Sequence, residues 1–173
     1  METWQAIDSI RVVREFADRP IEPDKLERIL HAGRRAASSK NLQRWAFVVV
    51  QDREHLQKLA TVGPFGGHVA GAALAIALVT PDPRTGDQPL SVMWDLGRAA
   101  QNMVLAAWDM EIGSVPATVY EHQIAQKLLA LPADQHCEFI LSFGYPADAS
   151  VLTARKQAGG RMSLNEVVHR ERW

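Results

Sequence analysis

Three stretches of this 173-residue chain hold more polar side chains and glycine than packing requires. In Arg11-Val12-Val13-Arg14-Glu15-Phe16 two cations stand three positions apart beside an aromatic residue. On a helix or a tight loop both would reach one anion, because the guanidinium fork matches phosphate oxygens bidentately. A solvated charged edge, paired with Glu15 or Asp18, is the plainer reading of the same residues. The second stretch runs from Ala37 to Trp45 and sets Ser38, Ser39, Lys40, Asn41 and Gln43 between a helix end and an apolar run. Loops at strand ends grip ligands through hydroxyls, amides and free backbone N–H groups, although turns and caps use the same residue types. In the third, Gly159-Gly160-Arg161, glycines let the backbone approach a ligand while an arginine neutralises it. A flexible tail with an incidental arginine reads the same.

The sequence contains no nucleophile elbow, Walker loop or metal-binding His pair, so no metal is expected. His68, after two glycines, is either a site residue or a structural histidine. Cys137 lies in an apolar run and reads as a small core residue. A lone thiol can form neither an intrachain disulfide nor a Cys-rich zinc site, which points to a reducing compartment. Nineteen Lys and Arg against twenty Asp and Glu leave a formal charge of −1, without the basic stripe of a nucleic-acid binder. The N-terminus has no basic region followed by an apolar stretch, and the longest apolar run, Val69 to Thr80, is too short to span a bilayer. A cytoplasmic protein without membrane or nucleic-acid partners is expected, in one domain over residues 1–173, since 47% of the residues are apolar.

The elements that must position these stretches follow from periodicity. Thr3 is placed to cap a short helix with Trp4, Ile7 and Ile10 on one face. Pro23 opens a second helix whose Leu26, Ile29, Leu30 and Gly33 share a face, ending at Ala36 to Ser39. Trp45 to Val50 reads as a buried strand, Asp52 as the cap of a helix carrying Leu56 and Leu59, and Ala72 to Thr80 as a second buried strand. Gly63 to Gly67 is a loop and Pro81 to Asp87 an exposed turn. Leu90 to Met110 is a helix so apolar that it must be buried nearly all round, which in a small domain predicts burial against a second subunit. Its Trp and Met residues are expected in the core or an interface. Ile112 to Ala117 has room for a short strand or turn. A helix with Ile124, Leu128 and Leu129, a strand from Cys137 to Phe143, a Gly-rich tail and a last amphipathic stretch around Leu164, Val167 and Val168 complete the chain. Helical patterns outnumber strands and do not alternate regularly with them, so the fold class is α+β.

Taken in order, these stretches resemble the FMN-dependent nitroreductase family. The resemblance rests on Arg11 to Phe16, Pro20-Ile21, Ser38-Ser39-x-Asn41-x-Gln43-x-Trp45, Gly97-x-x-x-Gln101-Asn102, Gly144-Tyr145-Pro146, and Arg161 with Glu166-Val167-Val168-His169. It implies a mostly antiparallel central sheet flanked by helices, and a homodimer built on long central helices with two FMN sites at the interface. Residues 147–173 would form a tail wrapping the partner subunit. Within the N-terminal motif Arg11, Val12, Val13 and Arg14 would bind FMN, and Arg11, Arg14 and Arg161 would grip its phosphate and ribityl chain. Ser38 and Ser39 would line the flavin or ribityl, Asn41 would come across the dimer, and His68 would stand near the ring. Val115, Pro116, Ala117 and Thr118 would lie over a ring face. The chain departs from the family pattern at Ile10-Arg11-Val12, where an arginine and a hydroxyl are missing, and at Ala37 and Arg44, where prolines are common. It is also shorter than many members, which carry an insertion over the active site.

The implied activity is hydride transfer from NADH or NADPH through the flavin to a nitroaromatic, quinone or similar small-molecule acceptor, in a ping-pong cycle. Such an enzyme needs no acid–base constellation, because the cofactor carries the chemistry. Arg14 is the candidate for tuning the flavin, as a cation near its N1 and O2. Alternatives of the same lineage fragment flavin or dehalogenate aromatics, and a dimer that stores FMN without turnover is the non-catalytic reading.

Overall fold

The computed structural model describes residues 1–84, 90–154 and 160–173. Six α-helices and four strands follow in the order α1 (Thr3–Ser9), α2 (Pro23–Arg34), β1 (Ala46–Val50), α3 (Arg53–Leu59), β2 (Leu74–Pro81), α4 (Ser91–Asp109), β3 (Gly113–Thr118), α5 (His122–Leu128), β4 (Gln135–Gly144) and α6 (Leu164–Val167) among the described residues. The strands form one sheet in the order β1-β2-β4-β3, with every neighbouring pair antiparallel. The expected α+β class is what the chain forms.

Local chemistry fixes several boundaries. Pro23 occupies the first turn of α2, where its missing N–H costs nothing. Asp52 caps α3, accepting from the His55 N–H at 2.8 Å. At α1 the cap is Glu2 rather than the expected Thr3: its carboxylate accepts from Trp4 and Gln5 N–H while the Gln5 side chain reaches back to the Glu2 N–H. The acid outcompetes the hydroxyl because it reaches two orphan donors at once.

Packing sorts the strand residues by parity. Leu74, Ile76 and Leu78 of β2 join Leu141 and Phe143 of β4 under α2 and α4. Ala75, Ala77 and Val79 turn the other way, with Ile140, to meet Leu56 and Leu59 of α3 and Ala125 of α5. The sheet is thus the middle of three layers, and β2 is buried on both faces as its continuous apolar run requires. At the crossing of α2 and α4 a Cβ on Gly33 would lie 2.1 Å from Met103 Cε, so glycine lets the two helices close up.

Within a single copy α4 is buried along one side only. Leu96, Ala99, Met103, Ala107 and Trp108 are buried, but Trp94 is 72% exposed and Leu90, just before the helix, is 79% exposed. On α1 only Ala6 is buried, and Trp4 and Ile7 face outward. A single copy of the chain offers no second surface to cover them. Of the expected turn after β2, Thr85 to Asp87 lie outside the described residues, as does Gly159 of the Gly-Gly-Arg stretch. No described helix is long and apolar enough to cross a membrane.

Candidate active site

β3 is an edge strand, and Pro116 can stand in its middle because a residue without an N–H is tolerated where no neighbour needs the donor. The stretch Ile112 to Ala117, read as strand or turn, is this strand. The N-terminal basic segment docks on the same edge. Val12 bridges Ser114 in parallel, and Val13 donates its backbone N–H to the Ser114 carbonyl at 3.1 Å. Farther along, Ala17 N–H donates to the Tyr145 carbonyl at 2.8 Å and Ala147 N–H to that of Glu15 at 3.0 Å. The segment is therefore neither the helix nor the tight loop that would aim Arg11 and Arg14 at one anion.

The two arginines have separate settings. The Arg11 guanidinium donates to the carbonyls of Ser9 at 2.6 Å, Ile10 at 3.2 Å and Ala154 at 3.1 Å. All three acceptors are uncharged backbone carbonyls. Arg14 is exposed and close enough to His68 to act on it electrostatically.

Arg11 and Val12 form one wall of an open cleft of about 750 Å³. Ser114 and Pro116 of β3 and Leu141 of β4 contribute another side, Gly97, Gln101 and Val104 of α4 a third, and Arg161 closes the rim. This volume suits a cofactor-sized ligand. Among the described residues Arg11 and Arg161 line it without a carboxylate, which favours an anionic ligand, while Val104, Pro116 and Leu141 supply apolar surface for a flat ring. Nothing lies within 4 Å of a Cβ built on Gly97, so glycine there bares the helix backbone toward the open space of the cleft. The cleft fits FMN in both respects, a cationic rim for a phosphate and an apolar surface for the ring.

Other residues singled out in the sequence stand elsewhere. Val115 and Ala117 are buried, and Ala117 packs in the α3–α5 core, so their side chains do not line the cleft; Thr118 is exposed beyond it. Val13 is buried, its side chain covering Gly113, where a Cβ would come within 2.5 Å of it. His68 hydrogen-bonds through Nδ1 to the buried Ser142 Oγ at 2.9 Å and also to the Pro116 backbone. Burial, and then the charge of Arg14, hold its pKa below the ordinary histidine value, against the opposing pull of the Pro116 bond. Ser38, Ser39 and Asn41 lie in a separate turn, in which Lys40, Asn41 and Gln43 all adopt positive φ.

Sequence reasoning missed what holds that turn. Ser39 N–H donates at 2.7 Å to Oδ2 of Asp95, a buried carboxylate of α4 whose Oδ1 has no hydrogen-bond partner. A lone acid inside an apolar helix was the available signal. Gly97 and Gln101 had a clearer one, a four-residue spacing that places both on one helix face.

The sequence pattern described as the Nitroreductase family matches residues 7–62 and 66–145. A protein of Archaeoglobus fulgidus provisionally named NADH dehydrogenase/NAD(P)H nitroreductase is 35% identical over 178 residues, covering 99% of each chain. A solved structure from Parabacteroides distasonis under the same provisional name superposes with a TM-score of 0.85 at 27% identity, covering 99% of this chain and 98% of that one. The NADPH:FMN oxidoreductase of Vibrio harveyi, solved with NAD+, superposes with a TM-score of 0.84 at 26% identity, covering 99% of this chain and 77% of that one.

Proposed function

Because the chain belongs to the nitroreductase family, we propose that it is an FMN-dependent oxidoreductase in which NADH or NADPH and a nitroaromatic, quinone or similar acceptor use one cleft in turn. The observation that carries this is the meeting of Arg11, Arg161, Pro116 and Gly97 around one open cavity. FMN, when bound, supplies hydride acceptance and donation at its ring nitrogen N5. Arg161 and Arg11 bind the phosphate end, Arg161 with a guanidinium that has no ion-pair partner among the described residues. Pro116, Leu141 and Val104 orient the ring and exclude water from one side of it. Arg14 lends positive charge from the sheet edge, favouring electron build-up on the ring.

The working unit in this reading is a homodimer. Trp94, Leu90 and Ile7 expose apolar surface on α4, just before it and on α1, and a second copy would cover it. The Ser38–Asn41 turn does not line the cleft of its own chain, in keeping with Asn41 serving the partner's site. Residues 147–173 carry further exposed apolar groups, among them Leu164, Val167 and Trp173, suited to wrapping a partner. A cytoplasmic setting belongs to the same proposal and rests on the lone, buried Cys137 thiol.

The test is the visible spectrum of purified protein after FMN is added and the excess removed. A retained flavin band that NADH or NADPH bleaches without oxygen, and that a quinone restores, is the expected result. A colourless protein would overturn the reading and favour loss of the phosphate site at Ile10 and Val12. Double-reciprocal plots against donor and acceptor should be parallel; intersecting lines would remove the shared cleft from the mechanism.

A further inference from the structure

At the far end of β4 from the cleft, three side chains that the proposed activity does not use converge. We propose that His122, His136 and Glu138 bind one divalent transition-metal ion of the zinc type. One ligand atom from each lies within 4.8 Å of the other two. His136 Nε2 is 2.7 Å from Glu138 Oε2, and His122 Nε2 is 3.9 Å from the same oxygen. The two imidazole rings are 4.6 Å apart between centroids.

Two elements supply the cluster, β4 and the start of α5. The register of β4 against β2 slips between Leu78 and Val79: Leu78 faces Phe139 and Val79 faces Cys137, leaving Glu138 as an extra residue without a partner on β2. Such a bulge re-aims a side chain. Glu138 stands beside His136, two positions away on the same strand, while the first residue of α5 presents His122 from a different element. The cluster borders a pocket of about 430 Å³, lined by His122 and His136 together with Asp82, Gln123, Gln126 and Asp134, through which an ion and its remaining water ligands can enter.

The donor set selects the metal. Two imidazoles and one carboxylate form a mixed nitrogen and oxygen set that suits zinc with a fourth position open to water, whereas magnesium and calcium call for oxygen ligands. Without metal, Arg84 occupies the outer nitrogen of His136, Nη2 to Nδ1 at 3.0 Å. A guanidinium only donates, so Nδ1 accepts, and Nε2 carries the ring proton toward Glu138. Metal binding moves that proton from Nε2 to Nδ1, and Arg84 must then leave Nδ1. His122 Nδ1 is buried without a hydrogen-bond partner, so replacing His122 removes no existing hydrogen bond through that atom.

The flavin-loaded full chain is stripped with a chelator, incubated with excess zinc chloride, desalted, and analysed for metal. About one zinc per chain is expected in the wild type, with less than about a tenth of that in His122→Ala and Glu138→Gln. Arg84→Ala should retain zinc about tenfold more tightly in a chelator competition, the counterpart of one lost charge-assisted hydrogen bond. The flavin band and the metal-free melting temperature of each variant report its folding. X-ray absorption at the zinc edge of the wild type, which needs no variant, should show two imidazole nitrogens at about 2.0–2.1 Å. No retained zinc, equal retention in the wild type and both ligand variants, an imidazole-free zinc shell, or loss of zinc from Arg84→Ala would each overturn the site.

Discussion

The backbone N–H of Val13 lies 3.1 Å from the carbonyl oxygen of Ser114, across a parallel bridge made by Val12. Through that one pairing the basic segment becomes an added rim on the sheet edge. It sets Arg11 on the cleft and Arg14 beside His68.

Gly113→Ala tests this docking. A Cβ at position 113 would come within 2.5 Å of Val13 Cβ and Cγ2, and the β-branched valine has little freedom to give way. We expect a loss of about 1–3 kcal/mol in urea unfolding, typical of overpacking, together with weaker FMN binding. Gly33→Ala, which meets the mobile end of Met103, should cost less. Unchanged flavin affinity in Gly113→Ala would separate the docked segment from the cofactor.

Arg161→Ala should weaken FMN binding by about 10–100-fold, the equivalent of one charged hydrogen bond. Its melting temperature should stay near the wild-type value, because Arg161 is exposed and holds no described ion pair. Arg11→Ala should lower both quantities, since that guanidinium also ties Ala154 to the end of α1. Titration of flavin fluorescence and thermal unfolding of the two variants separate the roles. An Arg161→Ala protein with wild-type affinity would take this residue out of the site.

For Gly97→Ala the two effects should oppose each other. An added Cβ meets no protein atom within 4 Å, and alanine favours an α-helix over glycine by about 1 kcal/mol, so the flavin-free protein should be more stable. FMN affinity should nonetheless fall, because the methyl group projects into the cleft. Higher affinity together with higher stability would place the ligand elsewhere.

His68 should make stability depend on pH. Its folded-state pKa lies below the ordinary value of 6.5, so between the two values the unfolded chain binds more protons than the native one. Stability therefore rises with pH through that window: it is complete above about pH 7, falls as pH drops through the ordinary histidine range, and levels off once the folded-state histidine is also protonated. Urea midpoints from pH 5 to 8 should show this slope in the wild type and a flatter one in His68→Gln. Equal slopes would assign the dependence to other groups.

Much of the fold was legible because it is written locally. Pro23 at a helix start, Asp52 as a cap and the unbroken apolar run of β2 each act within a few residues, and the structure uses them as read. The candidate site was legible in part: Arg11, Val12, Pro116 and Arg161 meet at the cleft, whereas Ser38, Ser39, Asn41 and His68 stand apart from it within one chain. Val115 and Ala117 fall on the opposite side of the sheet from Pro116 because side chains alternate along a strand, and only pairing with β4 sets which face each takes.

By itself, then, the sequence determined the α+β class and the kinds of element, since these follow from propensity and periodicity along the chain, while the ordered motifs carried the resemblance to the family. The tertiary structure alone decided that Val12 pairs with Ser114, that Asp95 holds the Ser39 turn, and that a bulge at Glu138 meets His122 and His136. Each of these brings together residues from elements far apart in the chain. Their register is fixed only when Phe143, Leu96, Met103 and their neighbours close the core, because hydrophobic burial selects a global arrangement rather than a pair.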